Sequence, residues 1–153
     1  MEIYKTSGSL APLFIRITTG TGFMVHGWAK ITRGLGGFER LLTQIGIPLS
    51  HLNALIIPYI ELLGGLALFI GIGVRIVSLP LIMTMLVAMF TIQIRFGFST
   101  VNTIGLTQSG PVFGPPGYEI NLIYIGGLLS LLVTGAGTFS IDALIHPKRS
   151  GVR

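Results

Sequence analysis

The sequence predicts an all-α integral membrane protein, a bundle of four transmembrane helices formed by a single domain, residues 1–153. The first observation is composition: 50% of the residues are hydrophobic and 10% are charged, whereas soluble domains carry roughly 25% charged residues. The second observation is a set of apolar runs close to the ~20 residues that a helix needs to cross a bilayer core. Four such spans are predicted, at residues 10–29, 52–73, 76–94 and 119–139.

The spans differ in how many charged side chains they contain. Residues 76–94 contain none, and the second span holds one acid, Glu61. The first span is the most polar, with Arg16 inside it, and it ends in Trp28 and Lys30. An aromatic residue and a cation at the end of a span are typical of the membrane interface. Because no small-residue cleavage site follows, we expect a retained helix rather than a signal peptide.

The links between the spans are unequal in length. Residues 71–75 form a tight turn between the second and third spans, so the two longer links lie together on the other side of the bundle. The first link is predicted to form an amphipathic interfacial helix that ends at Gly46 and Pro48. Its apolar residues recur at helical spacing: Phe38, Leu41, Leu42 and Ile45. The link between the third and fourth helices contains Gly-Pro-Val-Phe-Gly-Pro-Pro-Gly at residues 110–117, which predicts a stiff Pro/Gly-rich loop.

Charge and cysteine usage exclude several classes of function. The net charge is +5, but the basic residues are spread along the chain, so we predict contacts with lipid headgroups and no nucleic-acid binding. The chain has no cysteine, which excludes disulfides and thiolate metal centres, and no metal site is predicted. More Lys and Arg lie on the side of the termini, which predicts cytoplasmic termini for a multi-pass protein. That side carries Lys5, Arg75, Lys148, Arg149 and Arg153, against Lys30, Arg33, Arg40 and Arg95 on the other.

Arg16 and Glu61 are the ionisable residues deepest in their predicted spans. A charge at mid-helix costs about 2.5–3.5 kcal/mol on insertion scales, so each should face protein and be paired. An ion pair between them satisfies both. Two interpretations remain open: the pair locks two helices together, or it forms part of a site for protons or for the head of a quinone.

Small residues mark helix faces that can pack closely. On the second span, Gly64 and Gly65 lie near the stripe that carries Glu61. On the fourth span, Gly126, Ser130 and Thr134 recur every four residues. Both stripes are predicted to pack helices, within one chain or between the chains of a homo-oligomer.

Polar residues are predicted to gather at the helix ends beneath the Pro/Gly-rich loop. An ion pair between Arg95 and Glu119 is expected there. The cluster has two interpretations: ordinary anchoring at the interface, or a site for quinone or protons. Its members are His26, Lys30, Gln93, Arg95, Tyr118 and Glu119.

The order of short motifs along the chain resembles the DoxX family of small bacterial membrane proteins. The motifs are His26-Gly-Trp-Ala-Lys30, Gly46-Ile-Pro48, Glu61-Leu-Leu-Gly-Gly65, Gly73-Val-Arg75, Gly117-Tyr-Glu119 and Gly135-Ala-Gly-Thr-Phe-Ser-Ile-Asp142. The resemblance covers about residues 10–145. It implies a four-helix bundle in the bacterial inner membrane, and some family members are subunits of a thiosulfate:quinone oxidoreductase. It supplies no list of catalytic residues.

Two functions follow from the buried charges and the resemblance. In the first, the protein is a membrane subunit of a quinone-linked or thiol/sulfur-linked redox system, with quinone as its cofactor and with partner redox subunits. In the second, it is a non-enzymatic scaffold or assembly partner. A small transporter ranks last, because four helices leave little room for a substrate path. Whether the chain is an enzyme stays open, and no catalytic residue is predicted.

Overall fold

The computed structural model describes residues 2–145, with side chains described from Leu10 onward. Of the cations used to predict orientation, Lys148, Arg149 and Arg153 lie outside this range. The structure is mostly helical. Helix α1 spans Glu2–Thr32, α2 Leu35–Gln44, α3 Ser50–Ile70, α4 Val74–Ala88, α5 Glu119–Thr134 and α6 Ile141–Ile145. Strands β1, Thr103–Thr107, and β2, Gly110–Phe113, pair as an antiparallel hairpin between α4 and α5.

Two helices in the described part of the chain are long and apolar enough to cross a membrane: Ser50–Ile70 and the continuous helical stretch Val74–Phe96. The latter is α4 extended by a π-helical turn, Met89–Gln93, and a 3-10 turn, Ile94–Phe96. Helix α5 is apolar but ends at Thr134, five residues before the end of the predicted span at 139. Gly135 has φ 77° and ψ −165°, which stops the helix there. Its 16 residues rise about 24 Å.

Helix α1 packs most closely on α3, and α4 on α5, while contacts between α3 and α4 and between α1 and α5 complete the ring. The α1–α3 contact is built on glycines. A Cβ on Gly20 would lie 2.7 Å from the carbonyl oxygen of Gly65, and a Cβ on Gly27 would lie 2.5 Å from that of Pro58. Glycine at these positions therefore lets two helix backbones touch. Gly65 was predicted to pack in this way; Gly20 and Gly27 were not.

The predicted stripe on the fourth span does not pack within the chain. Nothing lies within 4 Å of a Cβ built on Gly126, and Thr134 is exposed. The residue that faces α1 is instead Gly127, whose built Cβ would lie 3.1 Å from Thr19 Cγ2. A shift of one position rotates a helix face by about 100°, which is enough to exchange the inner and outer faces. Gly64 does pack, against Leu81 of α4.

The packed core lies at the end of the molecule that carries the α3–α4 turn. Its fully buried members include Leu68 of α3, Val74 and Leu81 of α4, and Leu128 and Leu131 of α5. The opposite end carries α2 and the hairpin. The predicted amphipathic helix is confirmed as α2, with Leu42 buried, and it packs on α3.

Candidate ligand-binding cavity

A cavity of about 930 Å³ occupies the end of the molecule opposite the packed core. It lies within the size range of small-molecule sites, roughly 300–1,000 Å³. Most of its wall is apolar, with Phe38, Leu41, Leu42 and Ile45 of α2 closing one side. The apolar face of α2 therefore covers a cavity. Ten residues of the wall have polar side chains: His26, Lys30, Asn53, Glu61, Thr84, Thr91, Gln93, Thr100, Asn121 and Tyr124.

An ion pair between Lys30 and Glu61 forms the charged part of the wall. Lys30 Nζ contacts both carboxylate oxygens of Glu61, lying 2.5 Å from Oε1. The Glu61 side chain is 3% exposed and that of Lys30 is 26% exposed. The ammonium group also lies 4.9 Å from the ring centroid of Phe38, a favourable cation–π arrangement.

The predicted pair between Arg16 and Glu61 is wrong. Helices α1 and α3 run antiparallel with Gly20 beside Gly65. Arg16 lies one turn from Gly20 towards the packed core, and Glu61 lies one turn from Gly65 in the other direction. The two charges are therefore offset by about 12 Å along the helices. The last turn of α1 brings Lys30 to Glu61 instead.

Arg16 has a different set of partners at the core end. It is fully buried, and its guanidinium donates to the carbonyl oxygens of Phe139 and, at 3.5 Å, Leu68. The carboxylate of Asp142 stabilises its charge electrostatically. Asp142 in turn accepts hydrogen bonds from the backbone N–H groups of Gly73, at 2.9 Å, and Val74, at 3.3 Å. Arg16 therefore fastens the segment after α5 to the α3–α4 turn and takes no part in the cavity.

Three buried polar atoms that have no hydrogen-bond partner within the described part of the chain belong to residues of the cavity wall: Asn121 Oδ1, Gln93 Oε1 and Thr100 Oγ1. Asn121 is 2% exposed, and its amide nitrogen donates to Met85 O at 3.3 Å. A buried polar atom left unpaired costs about 1–3 kcal/mol, so native proteins pair nearly all of them. Three residues with such atoms therefore belong to the wall of one cavity, although the atoms themselves lie beneath its surface.

The helical irregularity after α4 contributes to this wall. The π-helical turn Met89–Gln93 carries Thr91, Ile92 and Gln93, all three of which line the cavity. Such turns are rare and frequently occur at functional sites, because the extra residue redirects side chains. The turn explains why Gln93, which was predicted as a site residue, lies on the cavity wall.

His26 and Tyr124 lie side by side at the border between cavity and core. Their ring centroids are 6.5 Å apart, and Tyr124 packs edge-on against Phe23 at 5.2 Å. A Cβ on Gly22 would lie 1.8 Å from the Tyr124 hydroxyl oxygen. The absence of a side chain at position 22 therefore makes room for the phenol. The His26 site was predicted; Tyr124 was not.

The other members of the predicted polar cluster do not line the cavity. Arg95 is exposed, and its Nε donates to Ile92 O at 3.1 Å. Glu119 accepts a hydrogen bond from Thr100 N at 2.9 Å, so the expected Arg95–Glu119 pair is wrong. Tyr118 packs edge-on against Phe98 at 5.5 Å. Glu119 and Tyr118 hold the link before the hairpin to the start of α5, which brings Thr100 to the cavity.

Asn121, Thr100 and Tyr124 are the cavity residues that sequence reasoning missed. Asn121 is the one amide in the largely apolar helix α5, and an amide in a predicted span was the available signal. Thr100 lies in a link with no distinguishing pattern. No group of three or more His, Cys, Asp or Glu residues within residues 2–145 is arranged to hold a metal ion.

Two apolar helices of spanning length and a mostly apolar cavity indicate a helical membrane protein. Comparison with known proteins identifies its family. The DoxX family model matches residues 11–94, and the chain belongs to the DoxX family. The match includes His26, Lys30 and Glu61 and ends before α5, so Tyr118 and Glu119 lie beyond it.

Two relatives extend this comparison. The chain is 32% identical over 136 residues to "Inner membrane protein YqjF" of Escherichia coli (strain K12). The aligned region covers 89% of this chain and 92% of that protein. It is 34% identical over 92 residues to a protein of Bacillus subtilis (strain 168) named "Putative oxidoreductase CatD". That match covers 60% of this chain and 66% of CatD, just under two thirds of its length. No solved structure matches the chain.

Proposed function

We propose that α1, α3, α4 and α5 cross the bacterial inner membrane as one four-helix bundle, with α2 in the interface and the termini in the cytoplasm. The apolar stretches Ser50–Ile70 and Val74–Phe96 support two of the crossings. The closed ring of contacts among the four helices supports the other two. The short helix α5 reaches across because the bilayer thins around a helix shorter than its hydrocarbon core.

Within that bundle we propose a binding site for a quinone, which makes the protein a membrane subunit of a quinone-linked redox system. The observation that carries this proposal is the cavity of about 930 Å³, whose wall is mostly apolar and includes one ion pair, Lys30–Glu61. A quinone is an apolar molecule with a small polar head, and it matches a large apolar cavity with a few polar groups.

The hydrogen-bonding groups suit both redox forms of such a head. Quinone carbonyl oxygens accept hydrogen bonds, and the wall offers the Lys30 ammonium, the Tyr124 hydroxyl and the His26 ring as donors. Quinol hydroxyl groups donate, and the unpaired oxygens of Asn121 and Gln93 accept. A site that stabilises both forms is what a reversible two-electron carrier needs.

Protons and electrons reach the site by different routes in this proposal. Reduction of a quinone to a quinol consumes two electrons and two protons. Both protons pass in turn through the Lys30–Glu61 pair, which is the charged group of the cavity wall. The electrons come from a partner redox subunit that oxidises two thiol groups to a disulfide, a reaction that releases two electrons and two protons. The word "oxidoreductase" in the name of the Bacillus relative supports a redox role.

The test measures quinone binding to the full chain in nanodiscs of quinone-free phosphatidylcholine. Ubiquinone with two isoprene units is added, and bound quinone is extracted and quantified against empty nanodiscs. We expect a saturable excess of quinone in the discs that contain the protein. Asn121→Leu should weaken binding at least tenfold, or about 1.4 kcal/mol, because the head loses its amide partner. Ile123→Leu, an exposed position on the same helix, is the matched control.

Two results would overturn the proposal: no excess of quinone over empty nanodiscs, or equal binding by Asn121→Leu and the parent protein. The alternative is then a non-enzymatic assembly partner. The outward-facing stripe Gly126, Ser130 and Thr134 supports such a contact with another chain, since small residues let helices approach in a bilayer. Native mass spectrometry of gently extracted protein would identify the partner, or a homo-oligomer, directly.

A further inference from the structure

A second concavity of about 430 Å³ lies between α3 and α4 on the outer surface of the bundle. Its wall is formed by Leu63 and Gly64 of α3 and by Val77 of α4, among other apolar residues, with Tyr59 at its side. We call this concavity the α3–α4 groove. The absence of a side chain at Gly64 deepens it. The two helices that form the groove are the two that are apolar and long enough to span a membrane. The groove therefore faces the hydrocarbon of the bilayer.

The α3–α4 groove adjoins the cavity. Ile60 and Pro80 belong to the walls of both. Ile60 precedes Glu61 in the chain, so the point of contact lies next to the Lys30–Glu61 pair. Pro80 is exposed, and its ring stands at the boundary between the two spaces. A molecule with its head against the ion pair can therefore extend past Ile60 and Pro80 into the bilayer without crossing a helix.

We propose that the α3–α4 groove holds the isoprenoid tail of the quinone whose head occupies the cavity, and that this tail enters and leaves between α3 and α4. The inference rests on the proposed function and adds the path and the specificity for tail length. The position of the groove beside the cavity, with Ile60 and Pro80 common to both walls, favours this occupant over a second protein chain. The lining is aliphatic apart from Tyr59, which suits a hydrocarbon chain and offers nothing to a charged partner.

Photo-crosslinking tests the path directly. A ubiquinone with a diazirine on its second isoprene unit is bound to the full chain in nanodiscs, illuminated, and the labelled peptides are mapped by mass spectrometry. Labels should fall on residues 55–64 of α3 and residues 77–80 of α4, and excess unlabelled ubiquinone should abolish them. Competed labels confined to α1 or α5 would overturn the proposal. Uncompeted labels along the groove would identify an ordinary bilayer lipid position and would overturn it equally.

A groove-filling variant tests the role of the tail. Leu63 is 59% exposed, so Leu63→Trp fills the groove at little cost to packing. The two ubiquinones are compared at equal mole fraction in the bilayer. The variant should weaken the binding of ubiquinone with eight isoprene units at least tenfold. Its affinity for ubiquinone with one isoprene unit should stay within twofold of that of the parent protein. The matched control is Ile123→Trp, since Ile123 is 62% exposed on α5.

The two levels of the proposal fail differently. If neither quinone binds the parent protein, the proposed quinone site is wrong. If both bind and Leu63→Trp weakens neither, or weakens both alike, the quinone site stands and the tail path through the α3–α4 groove is wrong.

Discussion

Two cations of α1, Arg16 and Lys30, reach buried acceptors at opposite ends of the bundle. The identity of the buried ionisable residues could be predicted from sequence, because a charge inside an apolar span has to face protein. Their partners could not. The partner of Glu61 depends on the register between α1 and α3, which is fixed by Gly20, Gly27 and Gly65 acting together. No spacing within one span contains that information.

The Lys30–Glu61 pair gives a prediction that separates it from the pair suggested by the sequence. Lys30→Met leaves the Glu61 carboxylate buried without a partner, which should cost about 3 kcal/mol, the low end for a broken buried pair, because Lys30 is partly exposed. Adding Glu61→Leu should recover most of the loss. The measurement is thermal unfolding of the single and double variants in detergent.

The matched comparison is the pair Arg16→Leu and Glu61→Leu. Because these residues lie in separate contacts, their effects should add without recovery. Two results together would contradict the structure at this site. The losses of stability in Lys30→Met and Glu61→Leu would add in the double variant, and Glu61→Leu would restore the stability that Arg16→Leu removes.

At the scale of elements, helices were predicted better than links. Period and length identify a span, and the amphipathic spacing identified α2. The hairpin Thr103–Thr107 with Gly110–Phe113 was missed because Pro111 and the later prolines indicate a loop. Proline is compatible with an edge strand, and in a two-stranded sheet both strands are edges. Helix α5 was predicted too long because hydrophobicity continues past Thr134 while Gly135 ends the helix.

The close approach of α1 and α3 predicts that alanine will change the stability of the protein in different directions at two glycines. Gly27→Ala should destabilise the protein by about 2 kcal/mol or more, because its Cβ would overlap the carbonyl oxygen of Pro58 and the backbone of Leu62. Gly126→Ala should be neutral or stabilising by up to about 1 kcal/mol, since alanine favours helix and the site is open. Both are read from thermal unfolding, and equal effects at the two sites would refute the assigned α1–α3 interface.

At the scale of the whole molecule, stability and binding are assigned to different ends. The buried core and the hydrogen bonds of Arg16 and Asp142 lie at the end of the α3–α4 turn, while the cavity occupies the other end. The sequence predicted that one end would be polar. It did not predict a cavity, because an internal space depends on how far helices separate, and local patterns carry little information about that. At the cavity end, Asn121 and Gln93 each hold a buried oxygen that has no hydrogen-bond partner among the described residues.

Asp142→Ala tests this division from the core end. The carboxylate caps the start of α4 through Gly73 and Val74, so its loss should lower stability by about 1–2 kcal/mol. Quinone affinity, measured well below the unfolding temperature, should stay within twofold of the parent protein because Asp142 does not line the cavity. Asn121→Leu should show the converse, with unchanged or raised stability and weakened binding. Stability and affinity that fall together in both variants would mean that the two ends form one cooperative site.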